Sequence, residues 1–189
     1  MKLFFVAVSL VLYGGQLAAQ VKPKFSTQNY VGIVAGSRET ELQVQTINGL
    51  SYKKWFTGIG SGIDWYFLRS IPVFVSAERS ISITAKRKLY FSSAAGANFP
   101  WKNEGYYNYY WGWDASKMYP GFYWNAGFGY KIAVGKQNDA ILFHLGYSNK
   151  FYKEKVTSVY PCLIPPCPEN TETFKYNLRA LSLKLGWGF

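Results

Sequence analysis

Apolar and polar residues alternate with a period of two along most of this chain, which is the pattern of β-strands. In the segment WFTGIGSGIDWYF, residues 55–67, the odd positions are mostly apolar with aromatic residues at both ends. The even positions of that segment are rich in glycine and include Asp64. The segments FYWNAGFGYKI (122–132), AILFHLGYS (140–148) and LSLKLGWGF (181–189) have the same design. One face of each predicted strand is therefore apolar, and the opposite face is small or polar.

The alternation predicts an all-β chain of about eight antiparallel strands, and no helical period competes with it. The strands are predicted over residues 29–36, 40–49, 55–67, 71–82, 88–99, 121–133, 139–151 and 173–189. Most connections between them are short, but those at 100–120 and 152–172 are long. In an up-and-down arrangement both long connections open on the same side. Long loops opposite short turns are typical of bacterial outer-membrane barrels.

The first twenty residues have the layout of a secretory signal peptide. Lys2 is followed by an apolar run from Leu3 to Tyr13 and then by small residues that include Ala18 and Ala19. We predict cleavage after Ala19, so that 1–19 is the signal peptide and 20–189 is a single domain. The alternative is an N-terminal membrane anchor, but the apolar run is shorter than the ~20 residues that a spanning helix needs.

Composition narrows the class of exported protein. Of the 189 residues 20% are aromatic and 16% are charged, which is an unusual pairing for a soluble domain. The formal net charge of +11 would suit nucleic acid, but export argues against that partner. No later segment resembles a transmembrane helix, so a soluble secreted β domain and a membrane β-barrel remain.

A β-sheet inside a bilayer must close into a barrel, because no water is present there to satisfy backbone N–H and C=O groups. An eight-stranded barrel has an interior that side chains just fill, which suits the glycine-rich faces. Aromatic residues at the ends of apolar faces, such as Trp55 and Trp187, suit the two interfacial girdles. We therefore predict a single antiparallel up-and-down transmembrane β-barrel with its apolar faces toward lipid. The alternative, a soluble lipocalin-like carrier, would turn those faces inward around a ligand.

The C-terminal strand resembles the signal by which outer-membrane proteins reach the bacterial barrel-assembly machinery. Its features are alternate apolar residues and a final phenylalanine: Leu181, Leu183, Leu185, Trp187 and Phe189. The stretches GIGSGIDWYFLRSIPVFVSAERSI and RKLYFSSAAGANFPW also resemble the small outer-membrane β-barrel proteins of Bacteroidota. The resemblance implies the barrel fold, the outer membrane of a Gram-negative bacterium, and contact with outer-membrane lipid and lipopolysaccharide. It implies no activity, because that family is largely without an assigned one.

Five ionisable side chains fall on the predicted inner faces, namely Asp64, Glu78, Lys131, His144 and Lys184. Buried charges must be paired, so we predict a structural polar network across the lumen rather than an ion path. His144 and Ser148 share a face, but at ~3.3 Å per residue they lie ~13 Å apart, which is too far for a nucleophile and its base. We therefore predict no catalytic residue.

The two long connections hold the candidate contact residues. Cys162 and Cys167 are the only cysteines, and an even count in an exported protein predicts a disulfide, with free thiols as the alternative. Exposed aromatic residues at high density suit a protein or glycan partner, although mutual packing explains them equally well; the candidates are Tyr107, Tyr109, Trp111 and Trp113. Nearby lysines favour anionic lipid headgroups; they are Lys102, Lys117, Lys150, Lys153 and Lys155.

The predicted function is structural or adhesive, exerted through the two long outer connections and without enzyme activity. A narrow pore or transporter for small solutes is the first alternative, and an outer-membrane lipid-modifying enzyme is the second. The sequence has no phosphate-binding glycine loop, zinc-ligand spacing or nucleic-acid-binding motif. We therefore expect no cofactor, metal or nucleic acid.

Overall fold

A computed structural model describes residues 22–37, 39–101, 104–109, 112–134, 139–160, 162 and 167–189. The predicted signal peptide at 1–19 lies outside these ranges. The strands are β1 Lys24–Gly36, β2 Thr40–Tyr52, β3 Trp55–Asp64, β4 Ser70–Ser82, β5 Arg87–Pro100, β6 Glu104–Tyr109, β7 Gly112–Tyr119, β8 Gly121–Ala133, β9 Ala140–Val159 and β10 Glu169–Gly188. Among the described residues, no helix is long and apolar enough to cross a membrane.

Eight of these strands close into an antiparallel barrel, as the alternation predicted. The strands β1 to β5 pair in sequence order, β5 pairs with β8, and β8, β9 and β10 follow. Pairing of β10 with β1 closes the ring. The end of the barrel that holds Lys24 and Phe189 is called the terminal end below, and the opposite end is called the projecting end.

The register sets the tilt of the strands. Stepping from Gly36 through successive paired residues around the ring leads back to β1 at Ser26, ten residues earlier. With a rise of ~3.3 Å per residue and a strand spacing of ~4.8 Å, this shift gives a tilt of about 40°. The apolar run from Leu181 to Phe189 then covers about 20 Å of the barrel axis, close to the ~25 Å apolar band of outer-membrane barrels.

The polarity of the barrel is the reverse of that in a soluble protein. Large apolar side chains on the outward face are more than half exposed, including Ile59, Val75, Phe91, Phe128 and Leu183. Polar side chains are buried inside, including Gln43, Gln45, Asn98, Asn125 and Ser182. The apolar faces therefore point outward, as predicted.

Glycines on the inner faces let aromatic rings cross the interior. The buried cluster contains Tyr30, Phe56, Phe74, Tyr90, Tyr123 and Leu142. A Cβ atom added to Gly60 would collide with the Phe74 ring, and one added to Gly129 would collide with Tyr90. The glycine-rich faces are thus the space that these rings occupy.

The two long connections differ from the prediction. The segment 100–120 is not a loop, because β6 and β7 form a hairpin and β7 pairs with the outer half of β9. In addition, β9 and β10 remain paired up to Val159 and Glu169, which shortens the second connection from 152–172 to 160–168. These strands lie beyond the apolar outward band, so they lack the apolar alternation on which the prediction relied.

The strand β3 ends at Asp64 rather than at residue 67. The chain then turns, and Phe67 has a φ of 62°. Carboxylates hold the turn: the Tyr66 N–H donates to Asp64 Oδ1 at 2.8 Å, and the Phe67 N–H donates to Glu39 Oε1 at 2.9 Å.

Candidate functional site

Glu78 organises the interior near the terminal end. Its Oε1 lies 2.9 Å from Lys131 Nζ and accepts a hydrogen bond from Ser80 at 3.0 Å. Its Oε2 accepts from Gln28 Nε2 at 2.9 Å, and the Tyr30 hydroxyl donates to Gln28 Oε1 at 2.9 Å. The Glu78–Lys131 ion pair and the Gln28 amide therefore link β1, β4 and β8 across the lumen.

Asp64 and Lys150 form a second charge pair near the projecting end. Lys150 Nζ lies 3.1 Å from Asp64 Oδ1 and donates to the Tyr66 carbonyl oxygen at 3.1 Å. Gln43 Nε2 donates to Asp64 Oδ2 at 3.2 Å. The two charged side chains are only 1% and 0% exposed. Such a pair persists only where good geometry and further hydrogen bonds offset the loss of hydration.

Lys184 lies between these two pairs and is held by neutral groups. Its Nζ donates to Gln45 Oε1 at 3.1 Å and lies 5.5 Å from the centroid of the Tyr30 ring. Gln45 Nε2 in turn donates to the Tyr123 hydroxyl at 3.3 Å. Within the described part of the chain no carboxylate lies at ion-pair distance from Lys184, so an amide and an aromatic face take the place of a counter-ion.

His144 makes a contact with Ser92 that the sequence analysis did not foresee. The distance from Ser92 Oγ to His144 Nε2 is 2.9 Å, within the range of a nucleophile and its base. However, His144 is only 3% exposed, and its Nδ1 has no hydrogen-bond partner among the described residues. Burial leaves the pair little access for a substrate, and no third group among the described residues orients the imidazole.

One cavity among the described interior groups is very small. A cavity of about 20 Å³ lies among the interior groups, including Gln45, Tyr123, His144 and Lys184. One water needs roughly 10–15 Å³ of such space. This cavity therefore has room for about one water and none for a larger solute.

The five predicted interior side chains all lie on inward faces, but they do not form one network. Glu78 pairs with Lys131, whereas Asp64 pairs with Lys150, which the sequence analysis grouped with the surface lysines. That grouping was wrong. Lys150 is two residues beyond Ser148, so the alternation of β9 predicts that it lies inside the barrel. The sequence analysis grouped it with surface lysines because lysine side chains are mostly exposed.

A four-stranded sheet rises beyond the barrel at the projecting end. Its order is β6, β7, β9 and β10, and it is called the projecting sheet below. Because β1 pairs with β10 only as far as Ala180, residues 169–179 form one edge of this sheet. A disulfide joins Cys162 to Cys167 in the connection between β9 and β10, which confirms the predicted bond.

One face of the projecting sheet carries lysines in opposed positions. Lys153 lies directly opposite Lys175, and Lys155 lies opposite Lys117, whose other neighbour in the register is Glu104. Lys153, Lys155 and Lys175 are exposed and have no ion-pair partner among the described residues. Like charges that face each other across strands are destabilising, so this face favours a bound anion.

The basic face continues the outward wall of the barrel. On β9 the outward residue before Lys153 is Phe151, whose ring lies 6.4 Å from that of Phe122. Trp124 and Tyr147 form a further outward ring pair at 5.6 Å. In outer-membrane barrels aromatic residues mark the interfacial girdle. Here the lysines begin about 7 Å along the strand beyond these aromatic rings.

The candidate aromatic contacts belong to the hairpin rather than to a loop. The backbone places Tyr107 and Tyr109 in β6 and Trp113 in β7, while Trp111 lies outside the described residues. Their role in binding stays a prediction.

Four of the predicted assembly residues lie on the outward face of β10, and Phe189 directly follows that strand. Each is more than half exposed: Leu181, Leu183, Leu185, Trp187 and Phe189. The Phe189 N–H donates to the Thr27 carbonyl at 3.0 Å, and the Thr27 N–H donates to the Phe189 carbonyl at 2.8 Å. The last residue therefore completes the seam between β10 and β1, and its recognition by an assembly machinery stays a prediction.

No family model and no curated protein sequence matches this chain. Its fold is similar to the crystal structure of Neisserial surface protein A, an outer-membrane β-barrel, with a TM-score of 0.51 and 11% sequence identity. The similarity covers 89% of this chain and 98% of that one. At this identity the likeness shows the fold alone: the chain is a closed eight-stranded antiparallel barrel, similar to that of an outer-membrane β-barrel protein.

Proposed function

We propose that this chain is an integral outer-membrane protein in which a closed barrel anchors a sheet that binds ligands at the cell surface. The observation that supports the proposal is a barrel whose large apolar side chains point outward and whose interior is filled by polar and aromatic side chains. Outward apolar side chains suit lipid, and the cavity of about 20 Å³ among the described interior side chains argues against a path for a solute. The role is therefore structural and adhesive rather than transport, and it falls to the projecting sheet.

We infer that the ligand of the basic face is a phosphate-bearing headgroup of the outer leaflet, as in lipopolysaccharide. Lys153, Lys155 and Lys175 lie just beyond the aromatic girdle, at the depth where lipid phosphates lie. A phosphate between Lys153 and Lys175 relieves their repulsion and accepts charge-assisted hydrogen bonds. The chemistry of the face and its depth thus point to the same partner.

A triple variant tests this ligand. K153Q/K155Q/K175Q should bind lipid A in detergent micelles on the order of 100-fold more weakly, since each of the three basic residues near an anionic surface contributes ~1 kcal/mol. The measurement is the rise in unfolding temperature on adding lipid A. Wild type should show no rise with lipid A that has lost its phosphates.

The matched control is K53Q/K54Q/K86Q, which removes the same charge from exposed lysines at the terminal end. This control should bind lipid A like wild type. An equal loss of affinity in both variants would mean that only net charge matters, and unchanged binding by the first variant would contradict the proposal directly.

The competing function, a narrow pore, is tested by conductance in planar bilayers. The filled interior predicts no channel events above the bare-membrane baseline at physiological ionic strength. A variant with more space inside, F74A/Y123A, should be the first to show leakage, because these two rings meet at a centroid distance of 5.5 Å in the lumen. Discrete, reproducible conductance in the wild type would favour the pore.

A further inference from the structure

The outward wall of β1, β2 and β3 carries a row of polar side chains within the apolar band. Asn29, Thr46 and Ser61 are paired neighbours across the three strands, and Thr46 Oγ1 donates to Asn29 Oδ1 at 2.9 Å. Apolar residues lie on the same face before and after each member of the row: Phe25 and Val31, Val44 and Leu50, and Ile59 and Ile63. The row therefore lies inside the band and not at its edge.

A second polar pair lies beside the row, toward the terminal end. Thr27 Oγ1 donates to Asn48 Oδ1 at 2.8 Å. The strands β8, β9 and β10, which complete the ring next to β1, present large apolar groups on their outward faces, including Phe128, Phe143, Leu145, Leu183 and Leu185. Ser93 on β5 is an isolated exposed polar residue, whereas Asn29, Thr46 and Ser61 are clustered as paired neighbours on β1 to β3.

Polar groups that face hydrocarbon without a partner are costly. The Asn29 amide N–H groups and the Ser61 hydroxyl have no hydrogen-bond partner among the described residues. Acyl chains supply neither donors nor acceptors. The wall therefore favours an occupant that can form hydrogen bonds at this depth.

The polar row forms the floor of a groove of about 410 Å³. Trp187 lines the groove on one side, and Ile63 and Ile71 line it on the other. Trp187 pairs directly with Asn29, and its side chain is 53% exposed. The Trp187 side chain, with its indole N–H donor, thus lies beside a groove whose floor carries hydrogen-bond acceptors.

We propose that this wall is the interface of a homodimer in the membrane, in which Trp187 of each copy enters the groove of the other. The inference rests on the membrane location proposed above. Two copies inserted in the same direction, and related by a two-fold axis along the membrane normal, present every residue at the same depth. The row of one copy therefore meets the groove of the other without any shift along the axis.

Hydrogen-bond chemistry favours a second copy over lipid. Hydroxyl and amide groups both donate and accept, so two identical rows are complementary to each other. The Trp187 indole is a donor only, and a buried indole N–H requires an acceptor. The hydroxyl and amide oxygens on the groove floor supply one.

Cysteine cross-linking tests the geometry. Thr46→Cys places a thiol at the centre of the row, and Ser93→Cys places a matched thiol on the exposed outward face of β5. The two natural cysteines are bonded to each other and do not compete. In lipid vesicles at low protein density, a short thiol-to-thiol cross-linker should give a dimer band for Thr46→Cys and not for Ser93→Cys.

Point variants test the chemistry through dimerisation measured by energy transfer in vesicles. Asn29→Leu and Trp187→Phe should each raise the dissociation constant of the dimer roughly 3- to 15-fold, the range expected of one polar contact in a membrane. Ser93→Ala is the control and should leave it unchanged. Heat-modifiable gel mobility checks that each variant remains a folded barrel.

Several outcomes would overturn the dimer. These are equal cross-linking at the two cysteines, a monomer at every protein density, and capture of a different protein by Thr46→Cys in native membranes. A chain that fails to insert into vesicles at all would instead refute the proposed membrane location, so the two failures are distinguishable.

Discussion

At the scale of single residues, Lys150 and Asp64 are two buried charged side chains, each of which depends on the other for its counter-ion. Neither side chain reaches water, and their contact at 3.1 Å is supplemented by hydrogen bonds from Gln43 and to Tyr66. Removing one member leaves the other charge in the interior without a partner, which is far more costly than removing both.

Lys150→Met should therefore lower the free energy of unfolding by about 3–5 kcal/mol. The measurement is a urea titration in micelles that follows the gel mobility of the folded barrel. The double variant D64N/K150M should recover most of the loss, because it buries no unpaired charge.

Lys153→Met is the control for this prediction, because Lys153 lies on the same strand but is exposed. Its effect should stay within about 0.5 kcal/mol. If both single variants lost the same stability, the cause would be the change of side chain and not the buried ion pair.

The alternation of the sequence predicts on which face an interior residue lies, but not which residue it contacts. Glu78 and Lys131 are 53 positions apart, and Ser92 and His144 are 52 apart. Such contacts cross the lumen between strands that are not sequence neighbours, so they depend on the register and the tilt. Neither quantity can be obtained from a period of two.

At the scale of strands, the β6–β7 hairpin is an addition to a barrel that closes without it. The strands β5 and β8 pair directly over twelve residues, from Arg87 opposite Ile132 to Asn98 opposite Gly121. The hairpin contacts the remainder of the protein chiefly where β7 pairs with the outer half of β9.

Replacing residues 102–118 by a short turn should leave the barrel intact. The urea midpoint and the heat-modifiable mobility should match the wild type, because no barrel pairing is removed. Limited proteolysis should cut the outer half of β9 faster, since that segment loses its β7 neighbour. A lost or strongly shifted urea midpoint would show that the hairpin is part of the barrel fold.

The same strands show where prediction from the sequence ends. All eight barrel strands were predicted because each has an apolar outward face opposite a small or polar inner face. β6 and β7 were missed because they lie beyond the apolar band, where both faces of a strand can be polar. In SKMYP, which ends the missed region, no apolar alternation marks the strand end at Tyr119.

At the scale of the whole molecule, the barrel depends on one long-range seam between its first and last strands. Nine residue pairs join β1 to β10, from Gln28 opposite Gly188 to Gly36 opposite Ala180. The two backbone hydrogen bonds between Thr27 and Phe189 extend this seam at the terminal end. Phe189 thus combines a structural contact with the proposed assembly signal, and the two roles predict different results.

Deleting Phe189 separates these roles. As a structural contact it contributes two hydrogen bonds of roughly 1 kcal/mol each, and the nine other pairs remain, so the variant should refold in micelles with a modest loss of stability. As an assembly signal it acts only in cells, where the amount of folded barrel in the outer membrane should fall severalfold. Phe189→Tyr retains the aromatic ring and the backbone, and should match the wild type in both assays. If the variant fails to refold in micelles, the defect lies in the seam between β10 and β1. If it assembles normally in cells, Phe189 is not an assembly signal.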